Sequence, residues 1–287
     1  MGTGPEKTVT KPYAAQDVGY SFLAPYRGIQ RMRPILSFDN SAFNQIVRDS
    51  SPDSILSAIT AGYHSNIPTM AFEESIATRN EERRSQLISV CRRLLASGAC
   101  LMPPHWIIDV HVKAFHKDRK NYDWKKVNVQ ARFVEDAILR GTLENDEQLV
   151  AEQAVELRRL QDEFELFFKQ SERRFDSFSE WLEESRKPGG SFWNTARLLY
   201  EAAFGSTDSV AQSEPLNETP SEETLRDFLD ACPPVRAFVY AFELTLYDRS
   251  LRADKKQSYK AGRNDQMMAA YLPYCDRFLT DDTHQYR

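Results

Sequence analysis

The apolar positions of this chain change their period along its length. Residues 34–39, PILSFD, form a short run with strand character that ends on Asp39. The following SAFNQIVRDS has helical spacing, with Ser41 available as its cap. A second helix is predicted over 52–62, with Pro52 near its start and Gly62 at its end. NIPTMAF, 66–72, again reads as a strand, and EESIATRNEERRSQLISVCRRLLASG as one amphipathic helix. In that helix Ile76, Leu87, Val90, Cys91, Leu94 and Leu95 share a face, and Gly98 marks the stop. Strands alternating with helices predict a parallel sheet covered on both faces.

From about 105 to 260 the strand signal disappears. Leu157, Leu160, Phe164, Phe167, Phe175, Phe178 and Leu182 recur at mostly three- and four-residue steps, which predicts one long helix over 147–187. Such a helix would reach roughly 60 Å, longer than an α/β layer, so it belongs to a helical insertion. KPGG at 187–190 breaks it, and SFWNTARLLYEAAFG at 191–205 makes another helix. The polar stretch 206–221 reads as a mobile linker. Thr219, Pro220 and Glu222 then suit a capping box opening the next helix, and a further helix follows Pro233 and Pro234. Near the C-terminus, Asn264 is a candidate cap, Asp265 lies in the first turn of a short helix, and 277–279 is extended. The fold class expected is α/β, a parallel sheet flanked by helices with a large all-helical insertion. Its parts are a flexible lead-in over 1–30, α/β segments over 31–104 and 261–287, and the insertion over 105–260 between them.

Composition narrows the function. The chain has 287 residues, 41% hydrophobic and 28% charged, enough to bury a substantial core. No run approaches the ~18–20 apolar residues of a membrane helix, and the N-terminus lacks the pattern of a secretory signal, so a cytoplasmic location is expected. Cys91, Cys100, Cys232 and Cys275 are far apart without a CxxC pair, which indicates neither a zinc site nor a disulfide framework. A net charge of -5 argues against nonspecific coating of nucleic acid, though not against local action on it.

The acids carry the candidate chemistry. Asp39 ends a strand, Glu73 and Glu74 stand at a strand-to-helix junction, Asp265 opens a helix, and Asp281 and Asp282 follow another strand. Ligands in open parallel sheets bind outside the carboxyl ends of the strands, so a fold that gathers these ends gathers the acids. Clustered carboxylates repel unless a cation compensates, and Mg2+ or Mn2+ prefers such oxygen ligands. Metal-assisted phosphodiester hydrolysis is the chemistry suggested. Taken singly, Glu73, Glu74 and Asp265 also read as first-turn acids favoured by the helix macrodipole.

In this order and context the acids resemble the motifs of the PIN domain family of metal-dependent nucleases. ILSFDNSAF, IPTMAFEESIA, NDQMMAAYL and RFLTDD stand where the family has its four motifs, over residues 34–104 and 262–284. The resemblance implies a Mg2+ or Mn2+ site held by Asp39, Glu74, Asp265 and Asp282. Asp281, Asp276 and Glu73 would be reserve acids. It further implies endonuclease action, most commonly on RNA. Several members are toxins paired with an antitoxin protein, but the insertion is far larger than in those compact toxins.

Two basic stretches could contact the substrate. HVKAFHKDRKNYDWKK, 111–126, interleaves Lys117, Arg119 and Lys120 with Phe115, Tyr122 and Trp124, a pattern suited to phosphate contact and base stacking. Arg249, Arg252, Lys255, Lys256, Lys260 and Arg263 run up to Asp265, which makes Lys260 and Arg263 candidates for holding substrate phosphate. A second functional class is also open: a PIN-like scaffold with little or no activity. It would bind a protein partner through an apolar stripe of Phe167, Phe168, Phe175, Phe178 and Trp181.

Overall fold

Four short runs pair into one all-parallel sheet. They are β1 (Ile35–Phe38), β2 (His64–Pro68), β3 (Gly98–Leu101) and β4 (Arg277–Leu279), in the spatial order β3-β2-β1-β4. Leu36 lies opposite Ser65 on one side and Arg277 on the other. A computed structural model of the chain describes residues 33–141, 146–168, 174–205, 218–253 and 262–281. These described residues form one compact unit.

Between β1 and β2 lie α1 (Asn40–Arg48) and α2 (Pro52–Gly62), and between β2 and β3 lie α3 (Thr69–Ile76) and α4 (Glu81–Leu95). After β3 come α5 (Pro104–Lys117), α6 (Arg132–Arg140), α7 (Glu147–Phe167), α8 (Phe178–Ser185), α9 (Ser191–Gly205), α10 (Glu222–Ala231) and α11 (Pro233–Leu246). Then α12 (Arg263–Met268) and a 3-10 segment, Ala269–Tyr274, lead into β4.

Two apolar cores hold these parts. The first joins the sheet to α1–α4, with Phe38, Phe43, Ile67, Leu87 and Leu94 at 0% exposure. The second lies among α5, α9, α10 and α11 around Phe115, Tyr200, Phe228 and Val239. Ala270 packs in the second core and the adjacent Tyr271 in the first, so this turn ties the helical region to the sheet. No helix among the described residues is long and apolar enough to cross a membrane.

Several expected boundaries move. The strand predicted over 66–72 begins earlier and ends at Pro68, after which TMAFEESI is helical. The single helix expected after it is broken at 77–80, because the Asn80 side chain accepts from Arg83 N at 2.8 Å and starts α4 afresh. β3 was not expected; its Gly98 permits pairing so close that a Cβ there would stand 1.8 Å from Ser65 O. The long helix over 147–187 is two helices, α7 and α8. Between them Arg174 N and Phe175 N donate to Leu251 O, and Ala253 N donates to Phe175 O, an extended pairing no helix could make. The caps shift as well: Ser221, not Thr219, caps α10, and Gly262, not Asn264, precedes α12. The expected lead-in over 1–30 and most of the expected linker over 206–221 lie outside the described residues.

Candidate functional site

β1 carries the chain to Asp39, which caps α1 in place of the expected Ser41. Its Oδ1 accepts from Ala42 N at 2.8 Å and from Ser41 Oγ at 2.7 Å. Its Oδ2 accepts from Thr280 Oγ1 at 2.6 Å, across to the residue that follows β4. Asp281 N in turn donates to Ser41 Oγ at 2.7 Å. Connections from β1 run through β2 to β3 on one side, while β4 returns on the other. Asp39 and Thr280 therefore face each other at the topological switch point, where ligands of parallel sheets bind.

A cavity of about 240 Å³ opens there, lined by residues that include Asp39, Asn40, Asn44, Glu74, Asn264 and Asp265. Three expected acids from three separated stretches thus share one cavity. Glu74, not Glu73, lines it. The Glu74 carboxylate accepts from Asn264 Nδ2. Burial pushes its pKa up to about 7; the nearby charges of Asp265 and Asp39 add to the rise, and hydrogen bonds from Asn264 and Asn40 oppose it. Glu73 is also raised to about 7, by burial and by Glu74, against the attraction of Arg263. Asp265 ties down the start of α12, its Oδ2 accepting from Gly262 N at 2.7 Å.

Two asparagines not expected among the ligands, Asn40 and Asn44, complete the cavity. Asn40 Oδ1 accepts from Ser75 Oγ at 3.0 Å and so ties α1 to α3. Asn44, one turn further along α1, is held by Arg83, whose guanidinium donates to its side-chain and backbone oxygens. Only the helical i, i+4 spacing of Asn40 and Asn44 signals this in sequence.

Other expected residues lie elsewhere. Asp276 sits at the opposite end of the sheet, its Oδ2 accepting from Ile35 N at 2.7 Å at the start of β1, so it is not beside Asp39. Asp281 is exposed, and Asp282 and Lys260 lie outside the described residues. Arg263 is partly buried near Glu73, and Arg263 N donates to Gln161 Oε1 of α7 at 3.1 Å. Lys117, the last residue of α5, and Arg119 and Lys120 just after it are exposed, roughly 20 Å along the helix axis from Pro104, and none lines the cavity. Arg119 pairs with Asp227. Phe115 faces inward at 2% exposure, so it is not presented for stacking on a base. Of the apolar stripe, Phe167 is exposed while Phe168 is buried against Phe164 and Phe242.

The donor set fits a hard cation in chemistry, because carboxylates and asparagine amides are the oxygen ligands Mg2+ and Mn2+ take. Among the described residues no group of three His, Cys, Asp or Glu side chains forms a ready metal cage. Comparison with known proteins returns no match: no family model fits the chain, and no curated protein and no solved structure is significantly similar to it.

Proposed function

We propose that this chain is a PIN-like, divalent-metal-dependent endoribonuclease of the cytoplasm, acting on single-stranded RNA. The observation that carries the reading is the convergence of Asp39, Glu74 and Asp265 on one cavity at the switch point of a parallel sheet. Asp39, Glu74 and Asp265 would hold Mg2+ or Mn2+, with Asp282 or Asp281 from the segment after β4. The raised pKa of Glu74 supports this, since burial and, after it, the charges of Asp265 and Asp39 disfavour its ionised form, and a cation would offset both. With few protein ligands, such a site leaves positions for water and phosphate oxygens. The bound cation would supply Lewis-acid stabilisation of the phosphodiester and an activated water.

The protein's own part is positioning. Ser41, Ala42 N and Thr280 fix the Asp39 carboxylate, while Asn264 and Asn40 orient Glu74. Arg263 and Lys260 precede Asp265 and would hold substrate phosphate; Lys117, Arg119 and Lys120 would contact RNA farther away. The test is cleavage of single-stranded RNA with Mg2+ or Mn2+ by wild type and by Asp39→Asn. Equal activity in both would defeat the assignment.

One observation favours a second reading as an interaction module, with a protein such as an antitoxin as partner. Val155, Leu166 and Phe167 of α7 are 66%, 60% and 64% exposed. Phe167→Glu would abolish self-association or partner binding under this reading and leave RNA cleavage untouched.

A further inference from the structure

A second cavity, of about 360 Å³, lies among α8, α9, α10 and α11, and its lining includes Arg186, Arg226, Arg236, Phe192, Trp193 and Tyr240. Its construction starts in the turn KPGG. A Cβ on Gly190 would stand 2.2 Å from Ser185 O, so only glycine lets the chain reverse there. The reversal brings Arg186 over α9 and α11. Its guanidinium carbon is 5.2 Å from the Phe192 ring centre and 4.9 Å from that of Tyr240. Trp193 Nε1 donates to Arg186 O at 2.8 Å and fixes the backbone beneath. Across the cavity the Arg226 guanidinium lies 5.5 Å from the Trp193 ring centre.

Arg186 and Arg226 are held by rings and not by acids. Among the described residues no carboxylate pairs with Arg186 or Arg226, and Asp230 stands at a loose 3.7 Å from Arg236. Three guanidinium groups facing one carboxylate make a concentrated positive site on a chain whose net charge is -5. A guanidinium stacked on a ring keeps its in-plane N–H donors free for bidentate contact with phosphate. Stacking also holds the long side chain in place, so less freedom is lost when an anion arrives. Tyr240 is partly exposed and lines the cavity beside Arg186, so a base entering there meets both aromatic and guanidinium surface. The volume suits one nucleotide, since small-molecule sites run from about 300 Å³ upward.

We infer that this cavity binds the phosphate and base of a nucleotide, either free or as one unit of a single-stranded RNA. The inference stands apart from the acidic cavity and does not require catalysis there.

The test is done without metal, in EDTA, so that no cleavage intervenes. Binding of AMP is followed by calorimetry and binding of fluorescein-labelled oligouridylate by anisotropy. Proteins compared are wild type and the double variant Arg186→Gln/Arg226→Gln. Wild type should bind, and the double variant about tenfold or more weakly, the loss of at least one charge-assisted contact. Loss of AMP binding identifies the free nucleotide as ligand; loss of oligouridylate binding alone identifies the strand. Arg226→Gln by itself, on an exposed face of α10, gives the same reading if the double variant melts below wild type. Absence of binding by wild type, or equal binding by the variants, overturns the inference.

Discussion

Replacing Glu74 by Gln tests whether burial, with the nearby charges of Asp265 and Asp39, disfavours an ionised carboxylate in the switch-point cavity. In the folded chain its carboxyl titrates near about 7, against 4.5 for an unperturbed glutamate. At ~1.4 kcal/mol per unit, that difference is about 3 kcal/mol. The folded state holds the extra proton between those two values, so unfolding releases it. Stability from this group is therefore full below the unfolded pKa and falls as pH rises through about 7. Glutamine cannot ionise, and its side-chain oxygen can still accept from Asn264. In EDTA, the free energy of urea denaturation of Glu74→Gln relative to wild type should rise by about 3 kcal/mol between about pH 5 and about pH 8.5. Glu73 is raised partly by Glu74, so its own titration should move toward the ordinary range in the variant. A pH profile unchanged by the substitution would refute the reasoning, because it would mean that Glu74 is neither buried nor crowded by charge.

Three further outcomes follow from other parts of the fold. Gly98→Ala drives a Cβ to 1.8 Å from Ser65 O, and spreading β2 from β3 should cost about 3 kcal/mol or more in chemical denaturation; an unchanged midpoint would contradict the pairing. Thr280→Val removes the hydroxyl that donates to Asp39 Oδ2 and should cost about 1–2 kcal/mol by the same measurement, with no loss expected if β4 ended elsewhere. His111, at 0% exposure, bonds the hydroxyls of Tyr122 and Tyr274, and burial lowers its pKa to about 4. His111→Phe should lose about 2–4 kcal/mol near neutrality and abolish the stability that wild type loses as pH falls from about 6.5 toward about 4, opposite in sign to the Glu74 effect.

The local pattern made β1, β4 and most helix positions legible, because apolar period and Pro or Gly punctuation act within a few residues. β3 was not legible: GACL has no alternation, and its strand state depends on Gly98 meeting Ser65 in a distant element. The break between α7 and α8 was hidden for a similar reason. Apolar residues at helical steps continue through Phe175, while the extended state is set by Leu251 and Ala253. At the candidate site the acids were legible as a type, and the topology accounts for Asp39, Glu74 and Asp265 sharing a cavity. Ser41 was read as a cap because it is a hydroxyl before a helix. In the fold it instead bonds Asp39 and receives Asp281 N, a role that exists only once β4 lies beside β1. The nucleotide-sized cavity of Arg186 and Arg226 had no local signature, since its residues come from three helices and the turn after α8.

The most direct test of the central claim is the rate of single-stranded RNA cleavage with Mn2+ in wild type, Asp39→Asn and Asp265→Asn, each checked for wild-type folding. Wild type should cleave in a reaction that EDTA abolishes, with losses of about a hundredfold or more in both variants, the scale expected when charge stabilisation of the transition state is removed. Metal-independent cleavage, or variants as active as wild type, would contradict it.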